Sequence, residues 1–230
     1  MSTDQRSILA RASIFEGLEP AQIDALARMA VRKTYRTREI VLRKGDPAMQ
    51  IYVIAKGRLK AITAGAEGRQ AALSIMGPGE VFGEVAVLDG EPRSATITAL
   101  EPCELIIVNR NEFFYFLERN PSAALRLLQV LARRLRRLSE RVEDSTFLDV
   151  PGRLAKALVR LAQRYGRDVG DGTRIELKLS QQELGDLVGT TRESVNKQLR
   201  AWQSEGLLEQ EKGRVILKDV ETFVTLGEGL

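Results

Sequence analysis

Hydrophobic positions near the start of the chain are spaced as on one face of a helix. Apolar residues recur there every three or four positions: Ile8, Leu9, Ile14, Phe15, Leu18, Ile23, Leu26 and Met29. This period predicts two short amphipathic helices within residues 7–30, and Pro20 lies near the start of the second. We interpret both as helices that pack on a core.

From residue 34 to residue 109 the pattern changes to short apolar runs separated by glycine turns. These runs predict strands. They cover residues 40–42, 51–54, 59–62, 72–75, 95–98 and 105–108. Because many short strands at regular intervals are typical of a sandwich or a barrel, the sequence predicts a β domain in this half of the chain.

Asn120 and Pro121 open a longer helical pattern. Asparagine can cap a helix, and proline suits the first helical position because its missing N–H is not needed there. Apolar residues then follow at alternating steps of three and four: Leu128, Leu131, Leu135, Leu138 and Val142. Arginine and glutamate flank this seam, as in a coiled-coil dimer. The alternative, a helix lying on its own domain's core, normally needs a broader apolar stripe, so we favour a parallel homodimer.

The heptad pattern stops before Pro151, which disfavours a helical conformation at Val150. We therefore interpret residues 144–151 as a hinge. A new helix is predicted over residues 153–165. Its inner face would carry Leu154, Leu158 and Leu161. An alternating strand pattern follows at Ile175, Leu177 and Leu179.

Residues 180–183, Ser-Gln-Gln-Glu, form a capping box that opens a short helix, and Gly189 ends this helix. A second helix is predicted over residues 190–203. Two helices joined by a tight turn that contains glycine form a helix-turn-helix. The runs at residues 207–210 and 215–218 predict a hairpin wing, which completes a winged helix-turn-helix domain.

The second of these helices presents polar residues outward. They are Arg192, Glu193, Asn196, Lys197 and Arg200. Arginine can read guanine and glutamate can accept from cytosine in the major groove. Each has a structural alternative: Glu193 could complete a capping box with Thr190, while Lys197 and Arg200 could form a solvated face.

The chain has 230 residues, of which 43% are hydrophobic, and a formal net charge of +4, so one large or two ordinary domains are expected. With no histidine and only Cys103, a zinc site of the usual kind, a His-ligated haem and a Ser-His-Asp triad are excluded. We expect no metal, and we interpret Cys103 as a small core residue. No apolar run reaches the length of a membrane span, which predicts a cytoplasmic protein with no membrane partner.

Residues 82–96 carry the candidate ligand chemistry. A single helical turn after Gly83 leaves backbone N–H groups without internal partners, and Arg93 and Ser94 add a guanidinium and a hydroxyl. A phosphate is bound by donors of these kinds. Glu84 would repel a phosphate unless a hydroxyl, such as that of a ribose, donated a hydrogen bond to it. The alternative from the residue types alone is a surface ion pair between Glu84 and Arg93.

The same stretch resembles the phosphate-binding cassette of cyclic-nucleotide-binding domains, which runs Phe-Gly-Glu, an apolar turn, then Arg-Ser-Ala. The matching positions are Phe82, Gly83, Glu84, Val85, Arg93, Ser94 and Ala95. The resemblance implies that backbone amides, Arg93 and Ser94 hold a cyclic phosphate and that Glu84 accepts from the ribose hydroxyl. It also implies that the β domain is the β-roll of this family.

The resemblance extends to the catabolite activator (Crp/Fnr) superfamily, because residues 147–153 and 189–199 are similar to its hinge and its recognition motif. It implies an α+β fold in three parts. These are a cyclic-nucleotide-binding β-roll over residues 1–119, a dimerisation helix and hinge over 120–149, and a winged helix-turn-helix domain over 150–230. The implied DNA-contacting residues are Gln181, Thr191, Arg192, Glu193, Ser194 and Lys197.

The family's two purine-contacting positions on the dimer helix align with Leu138 and Ser139, and Leu138 cannot hydrogen-bond to a base. The resemblance implies a homodimeric transcription regulator with cyclic AMP as allosteric effector. Cyclic GMP is the second candidate, because Leu138 removes one of the usual contacts to the base. Its partners would be double-stranded DNA with a palindromic site, and RNA polymerase. The alternatives are a ligand-independent regulator of this superfamily and a module that regulates a partner protein without DNA. An enzyme that hydrolyses the nucleotide is disfavoured.

Overall fold

The computed structural model describes residues 3–64 and 70–228 of the chain. The chain divides into two compact units, and the boundary falls within a long helix, between Arg136 and Arg137. Strands dominate the first unit, whereas helices and a small sheet form the second. The predicted α+β class is confirmed.

In the first unit helices stand before and after the strands, and the short helix α3 interrupts them. In chain order they are α1 (Thr3–Arg11), α2 (Pro20–Met29), β1 (Val31–Tyr35), β2 (Ile40–Leu42), β3 (Gln50–Lys56), β4 (Leu59–Ala64), β5 (Gln70–Met76), β6 (Val81–Phe82), α3 (Glu84–Asp89), β7 (Thr96–Ala99), β8 (Cys103–Asn109), α4 (Arg110–Arg119) and α5 (Pro121–Phe147). The two predicted N-terminal helices are present, although Ile14 and Phe15 lie after the end of α1, and all six predicted strands are present. The elements β1, β6 and α4 lie outside those predictions.

Within the described residues these strands form two sheets, in the orders β1-β8-β3-β6 and β2-β7-β4-β5. Successive side chains of β3 point to opposite faces, as the period of a strand requires. Tyr52 and Ile54 belong to a core that draws residues from both sheets, whereas Ile51 and Val53 belong to a second core shared with the helices. The strand is therefore buried on both faces, which explains its continuous apolar sequence.

Cys103 is a core residue, as predicted. It belongs to the core between the sheets, and its Sγ lies 3.2 Å from the Arg58 carbonyl and 3.1 Å from the Glu101 carbonyl. Burial raises the pKa of its thiol. A neutral, enclosed thiol of this kind acts as a small apolar side chain.

Helix α5 begins at Pro121, as predicted, but the Asn120 side chain does not cap it. The Asn120 amide donates to the Phe116 carbonyl at 2.7 Å and accepts from Gln22, so it ties α4 to α2. The backbone carbonyl of Asn120 accepts instead from the N–H groups of Ala123 and Ala124.

The second unit contains the C-terminal part of α5 and the remaining elements. These are α6 (Val150–Tyr165), β9 (Gly166–Asp168), β10 (Thr173–Ile175), α7 (Gln181–Val188), α8 (Arg192–Ser204), β11 (Leu208–Glu211), β12 (Arg214–Leu217) and α9 (Val220–Gly227). The strands form a sheet in the order β11-β12-β10-β9. The predicted wing is the β11–β12 hairpin, whose turn residues Lys212 and Gly213 both have positive φ, as in a two-residue hairpin loop.

Two boundary predictions in this unit are wrong. The break between the helices is shorter than the hinge predicted over residues 144–151, because α5 continues to Phe147 and α6 starts at Val150. Asp149 caps α6 by accepting from the Gly152 N–H at 2.9 Å, and Pro151 is tolerated in the first turn, where no N–H is needed. The strand predicted from Ile175, Leu177 and Leu179 ends at Ile175, although Leu177 is also buried.

None of the helices within the described residues combines the length and apolar character needed to span a bilayer.

Candidate functional site

The cassette predicted from residues 82–96 is a compact loop between two strands. The chain leaves β6, turns at Gly83, makes the short helix α3, turns again at Gly90 and returns through Arg93 to β7. Both glycines have left-handed φ, 78° at Gly83 and 79° at Gly90. A Cβ on Gly83 would lie 2.8 Å from Nη1 of Arg93, so this position needs glycine for its conformation and for its space.

Arg93 is held inside the protein by backbone groups. Its side chain is only 4% exposed, Nη1 donates to the Gly83 carbonyl at 2.7 Å, and Nη2 donates to the Gln50 carbonyl at 2.7 Å. Its own N–H and carbonyl pair with Asp46 and Gly45. Burial lowers the pKa of the guanidinium from its ordinary value. The third guanidinium nitrogen, Nε, is buried and has no hydrogen-bond partner among the described residues.

Glu84 is buried beside this arginine, with 2% exposure. Arg134 of α5 donates through Nη1 to Oε1 of Glu84 and through Nη2 to the Val81 carbonyl. The second oxygen, Oε2, has no partner among the described residues. The alternative of a surface ion pair between Glu84 and Arg93 is therefore wrong, because both groups are buried and each is held by other partners.

The cassette thus brings together the chemistry that the sequence predicted. A buried cation keeps an unused N–H donor, and a buried carboxylate keeps an unused acceptor, which is unusual because buried polar atoms are nearly always paired. The other predicted ligand residues of the cassette differ in their exposure. Phe82 is buried, Ala95 is half-buried, and Val85 and Ser94 are exposed. An anion is the kind of group that accepts from the free N–H, and a hydroxyl is the kind that donates to the free carboxylate oxygen.

Sequence reasoning missed three residues that position these groups: Arg134, Gln50 and Tyr52. Arg134 lies in an arginine-rich run, but it follows the core residues Leu127 and Val130 by seven and four positions. This helical spacing places it on the inward face of α5 and could have identified it. Gln50 contributes a backbone carbonyl, for which the sequence holds no signal.

The structure contradicts one predicted member of the α5 seam, Leu131, and places another, Leu138, beside the exposed line. Leu131 packs against the helix-covered core of the first unit. The large apolar residues that α5 exposes are Leu125, Leu128, Leu135, Leu138, Val142 and Phe147. Four of these residues and the exposed residues Ala132 and Ser139 repeat at steps of three and four. The exposed seam therefore consists of Leu125, Leu128, Ala132, Leu135, Ser139 and Val142. Leu138 flanks this seam, and the placement of Leu138 and Ser139 beside the purine of the effector stays a prediction.

The helix-turn-helix is confirmed by α7 and α8. Ser180 and Glu183 form the predicted capping box, and Gly189 ends α7 in a left-handed conformation with φ of 69°. A Cβ on Gly185 would lie 2.8 Å from the Thr190 carbonyl, so the turn packs closely on α7. Val195, Leu199 and Trp202 are the buried face of α8, as predicted.

The second helix of the motif starts two residues later than predicted, and this decides between two roles for Glu193. Thr191 is the N-cap of α8 and accepts from the Ser194 N–H at 3.2 Å. Glu193 is therefore not at the third helical position, so the capping-box alternative is wrong. Arg192, Glu193 and Lys197 are exposed on the first turns of α8, where a recognition helix contacts bases.

The predicted phosphate contacts lie around the same turn. The Thr191 and Ser194 hydroxyls are 3.1 Å apart, and Gln181 at the start of α7 donates to Asn196 at 3.1 Å. These contacts hold the ends of α7 and α8 in place. Short polar side chains and helix N-termini are the groups that position a protein on a DNA backbone.

The β-roll with its buried cassette and the winged helix-turn-helix define a class of protein, DNA-binding regulators that carry a ligand-binding domain. Comparisons with known families agree. The cyclic nucleotide-binding domain family matches residues 32–120, and the Crp-like helix-turn-helix domain family matches residues 152–225.

Relatives match over nearly the whole chain. The CRP-like cAMP-activated global transcriptional regulator of Mycobacterium tuberculosis is 37% identical over 214 residues, which are 93% of this chain and 96% of the relative. The cyclic AMP receptor protein of Thermus thermophilus is 30% identical over 217 residues, 94% of this chain and 97% of the relative. The solved structure of the c-di-GMP-responsive global regulator CLP of Xanthomonas campestris aligns at 26% identity with a TM-score of 0.79, covering 87% of this chain and all of that chain.

The chain belongs to the catabolite activator (Crp/Fnr) superfamily of transcription regulators, with a cyclic nucleotide-binding domain and a helix-turn-helix DNA-binding domain.

Proposed function

We infer that this regulator acts as a homodimer whose affinity for DNA is set by a cyclic nucleotide, with cyclic AMP as the preferred effector. One observation carries the proposal. Arg93 and Glu84 are buried in the same cassette, and each keeps one unpaired polar atom among the described residues. A cyclic nucleotide carries an anionic phosphate beside a ribose hydroxyl, the combination that pairs both atoms.

Each group of the cassette has a defined role in this proposal. The Arg93 guanidinium, the Ser94 hydroxyl and the first backbone N–H groups of α3 would donate to the cyclic phosphate. Oε2 of Glu84 would accept from the 2′-hydroxyl, which separates the carboxylate from the phosphate. Oε1 stays bound to Arg134, so binding does not require the Glu84–Arg134 ion pair to break.

Cyclic AMP is the first choice because the relatives from Mycobacterium tuberculosis and Thermus thermophilus carry cyclic AMP in their names. Cyclic GMP is the second candidate, because Leu138 offers no hydrogen bond to a purine. The relative from Xanthomonas campestris responds to c-di-GMP, so this dinucleotide belongs in the same test.

The homodimer would form through the exposed seam of α5. An apolar line at heptad spacing, left open to solvent in a single chain, is what a second copy of the helix covers in a coiled coil. Two copies of α8 related by a two-fold axis would then read a palindromic site, with half-sites about 34 Å apart. A contact with RNA polymerase also belongs to this proposal and rests on the family alone.

Parallel calorimetric titrations of the full chain with cyclic AMP, cyclic GMP and c-di-GMP test the effector. We expect saturable binding of cyclic AMP, with one high-affinity site per chain and weaker binding of the other two. Tighter binding of cyclic GMP would assign the second candidate. Binding of none of the three would contradict the proposal and favour a regulator that works without a nucleotide.

A further inference from the structure

The Arg93 guanidinium lies over the ring of Tyr52 of β3. The Cζ atom of Arg93 is 5.8 Å from the centroid of the Tyr52 ring, within the range of cation–π attraction. The ring is 5% exposed, so water does not weaken this contact. Burial raises the pKa of the Tyr52 hydroxyl, which therefore stays a neutral hydrogen-bond donor at physiological pH.

The ring of Tyr52 is fixed from two sides. It stacks on Phe82 with ring centroids 5.0 Å apart and an angle of 12° between the rings, and the two residues are direct partners in the β3–β6 pair. Its hydroxyl donates to Oε1 of Gln50 at 3.0 Å. Nε2 of Gln50 in turn donates to Asn109 at 3.3 Å, which anchors the other end of that amide.

The same two residues of β3 therefore both contact the Arg93 guanidinium. The Tyr52 ring lies 5.8 Å from Cζ, and the Gln50 carbonyl accepts from Nη2 at 2.7 Å. No carboxylate is hydrogen-bonded to the guanidinium among the described residues, since Glu84 pairs with Arg134. The neutral contacts orient the cation and leave its charge available for an anion.

We propose that Tyr52 is a positioning residue for the effector phosphate. Its ring, together with the Gln50 carbonyl that accepts from Nη2, holds Arg93 in place with Nε free before the ligand arrives. This inference rests on the proposed function. A guanidinium held in its binding geometry loses less side-chain entropy when the phosphate binds, and part of the ligand affinity therefore depends on Tyr52.

Fluorination of the ring separates this role from simple packing. Fluorine atoms withdraw electron density from the ring face and weaken cation–π attraction, while the shape of the ring changes little. Tyr52→Phe is the reference, and phenylalanine with one, two or three ring fluorines at position 52 forms the series. We expect the cyclic AMP affinity of Tyr52→Phe to stay within about threefold of that of the original protein. With each added fluorine the affinity should fall, and it should end about three- to tenfold below that of Tyr52→Phe. Thermal melts should stay alike across the series.

The Arg93→Ala variant is the control background, where fluorination should no longer change the residual affinity. Equal cyclic AMP affinity across the fluorinated series in the Arg93 protein would overturn the inference and leave the proposed function intact. If Tyr52→Phe, which keeps the ring and lacks only the hydroxyl, no longer bound cyclic AMP, the role of the ring would also be overturned. If the unaltered protein bound neither cyclic AMP nor cyclic GMP, the proposed function and this inference would fall together.

Discussion

Arg134 on α5 is ion-paired with Glu84 at the start of α3, so the long helix is bonded directly to the ligand cassette within the first unit. The carboxylate is almost fully buried, whereas the guanidinium is partly exposed. The second bond of Arg134, to the Val81 carbonyl, adds the strand that leads into the cassette. A single side chain thus connects β6, α3 and α5.

Replacing Arg134 by alanine should destabilise the first unit. The change leaves the Glu84 charge buried without a partner, which we expect to lower the free energy of unfolding by about 2–3 kcal/mol. Urea denaturation followed by circular dichroism measures this loss. The Arg134→Ala/Glu84→Gln double variant is the matched control and should recover most of it, because a neutral amide needs no counter-charge. An equal loss in the single and double variants would show that Glu84 is not the cause.

Leu135→Glu should weaken dimerisation through α5. Leu135 is 66% exposed and lies on the seam, so the dimer would bury a charge from each copy and lose two leucine contacts. We expect the dimer dissociation constant to rise at least about tenfold. Sedimentation velocity over a concentration series measures this constant. Arg133→Glu, at an exposed position on the opposite side of the helix, is the control and should stay dimeric. Equal dimer dissociation constants for Leu135→Glu and Arg133→Glu would contradict dimerisation through this seam.

Arg192→Ala should change which DNA sequences are preferred. Loss of a bidentate arginine contact removes about 1–3 kcal/mol of discrimination at one base of each half-site. Selection from a randomised DNA pool, followed by sequencing of the bound molecules, measures this preference at every position of the site. Arg200→Ala is the comparison, because this exposed residue lies further along α8 and should lower affinity evenly across sequences. Unchanged preference after Arg192→Ala would exclude it as a base-reading residue.

The ionised carboxylate of Asp144 should stabilise the second unit, and this stabilisation should be lost at acid pH. Burial raises the pKa of Asp144, but hydrogen bonds from Lys156 at 2.8 Å and Arg160 at 3.0 Å outweigh burial, so its pKa lies below the ordinary value. A carboxylate with a lowered folded-state pKa stabilises the protein above the unfolded-state pKa of about 3.9. This contribution is lost as the pH falls through the lower, folded-state value.

The corresponding test compares the original protein with Asp144→Asn in urea between pH 3 and pH 8. The variant should be less stable by roughly 1–2 kcal/mol at pH 7, and this gap should narrow below about pH 4. Glu143→Gln, at the exposed neighbouring position, should show no such gap. A gap that stays constant down to pH 3 would show that the charge of Asp144 is not responsible.

The cassette and the helix-turn-helix could be predicted because their chemistry is local. The Phe-Gly-Glu and Arg-Ser-Ala strings lie close together in the chain, and Ser180, Glu183 and Gly189 mark the ends of one helix. By contrast, β1 could not be found from periodicity. Its first four residues are all exposed, and the strand is held by backbone pairing with the distant strand β8, for example between Val31 and Ile107.

The wrong assignment of Leu131 to the α5 seam has a related cause. Leucines at both Leu128 and Leu131 fit a heptad, and only the packing of Leu131 on the core shows which side of the helix is covered within one chain. The surroundings of Arg93 were also beyond sequence reasoning, because its partners are backbone carbonyls and the face of a distant aromatic ring. Contacts of these kinds leave no residue pattern.

The most direct test of the account measures DNA binding as a function of cyclic AMP, by fluorescence anisotropy with a DNA selected by the original protein. We predict that the DNA affinity of the original protein rises saturably with cyclic AMP. Arg93→Ala should fail to respond over the same range, while circular dichroism and sedimentation show it folded and dimeric. An equal response of Arg93→Ala to cyclic AMP would contradict the claim that the cassette controls DNA binding.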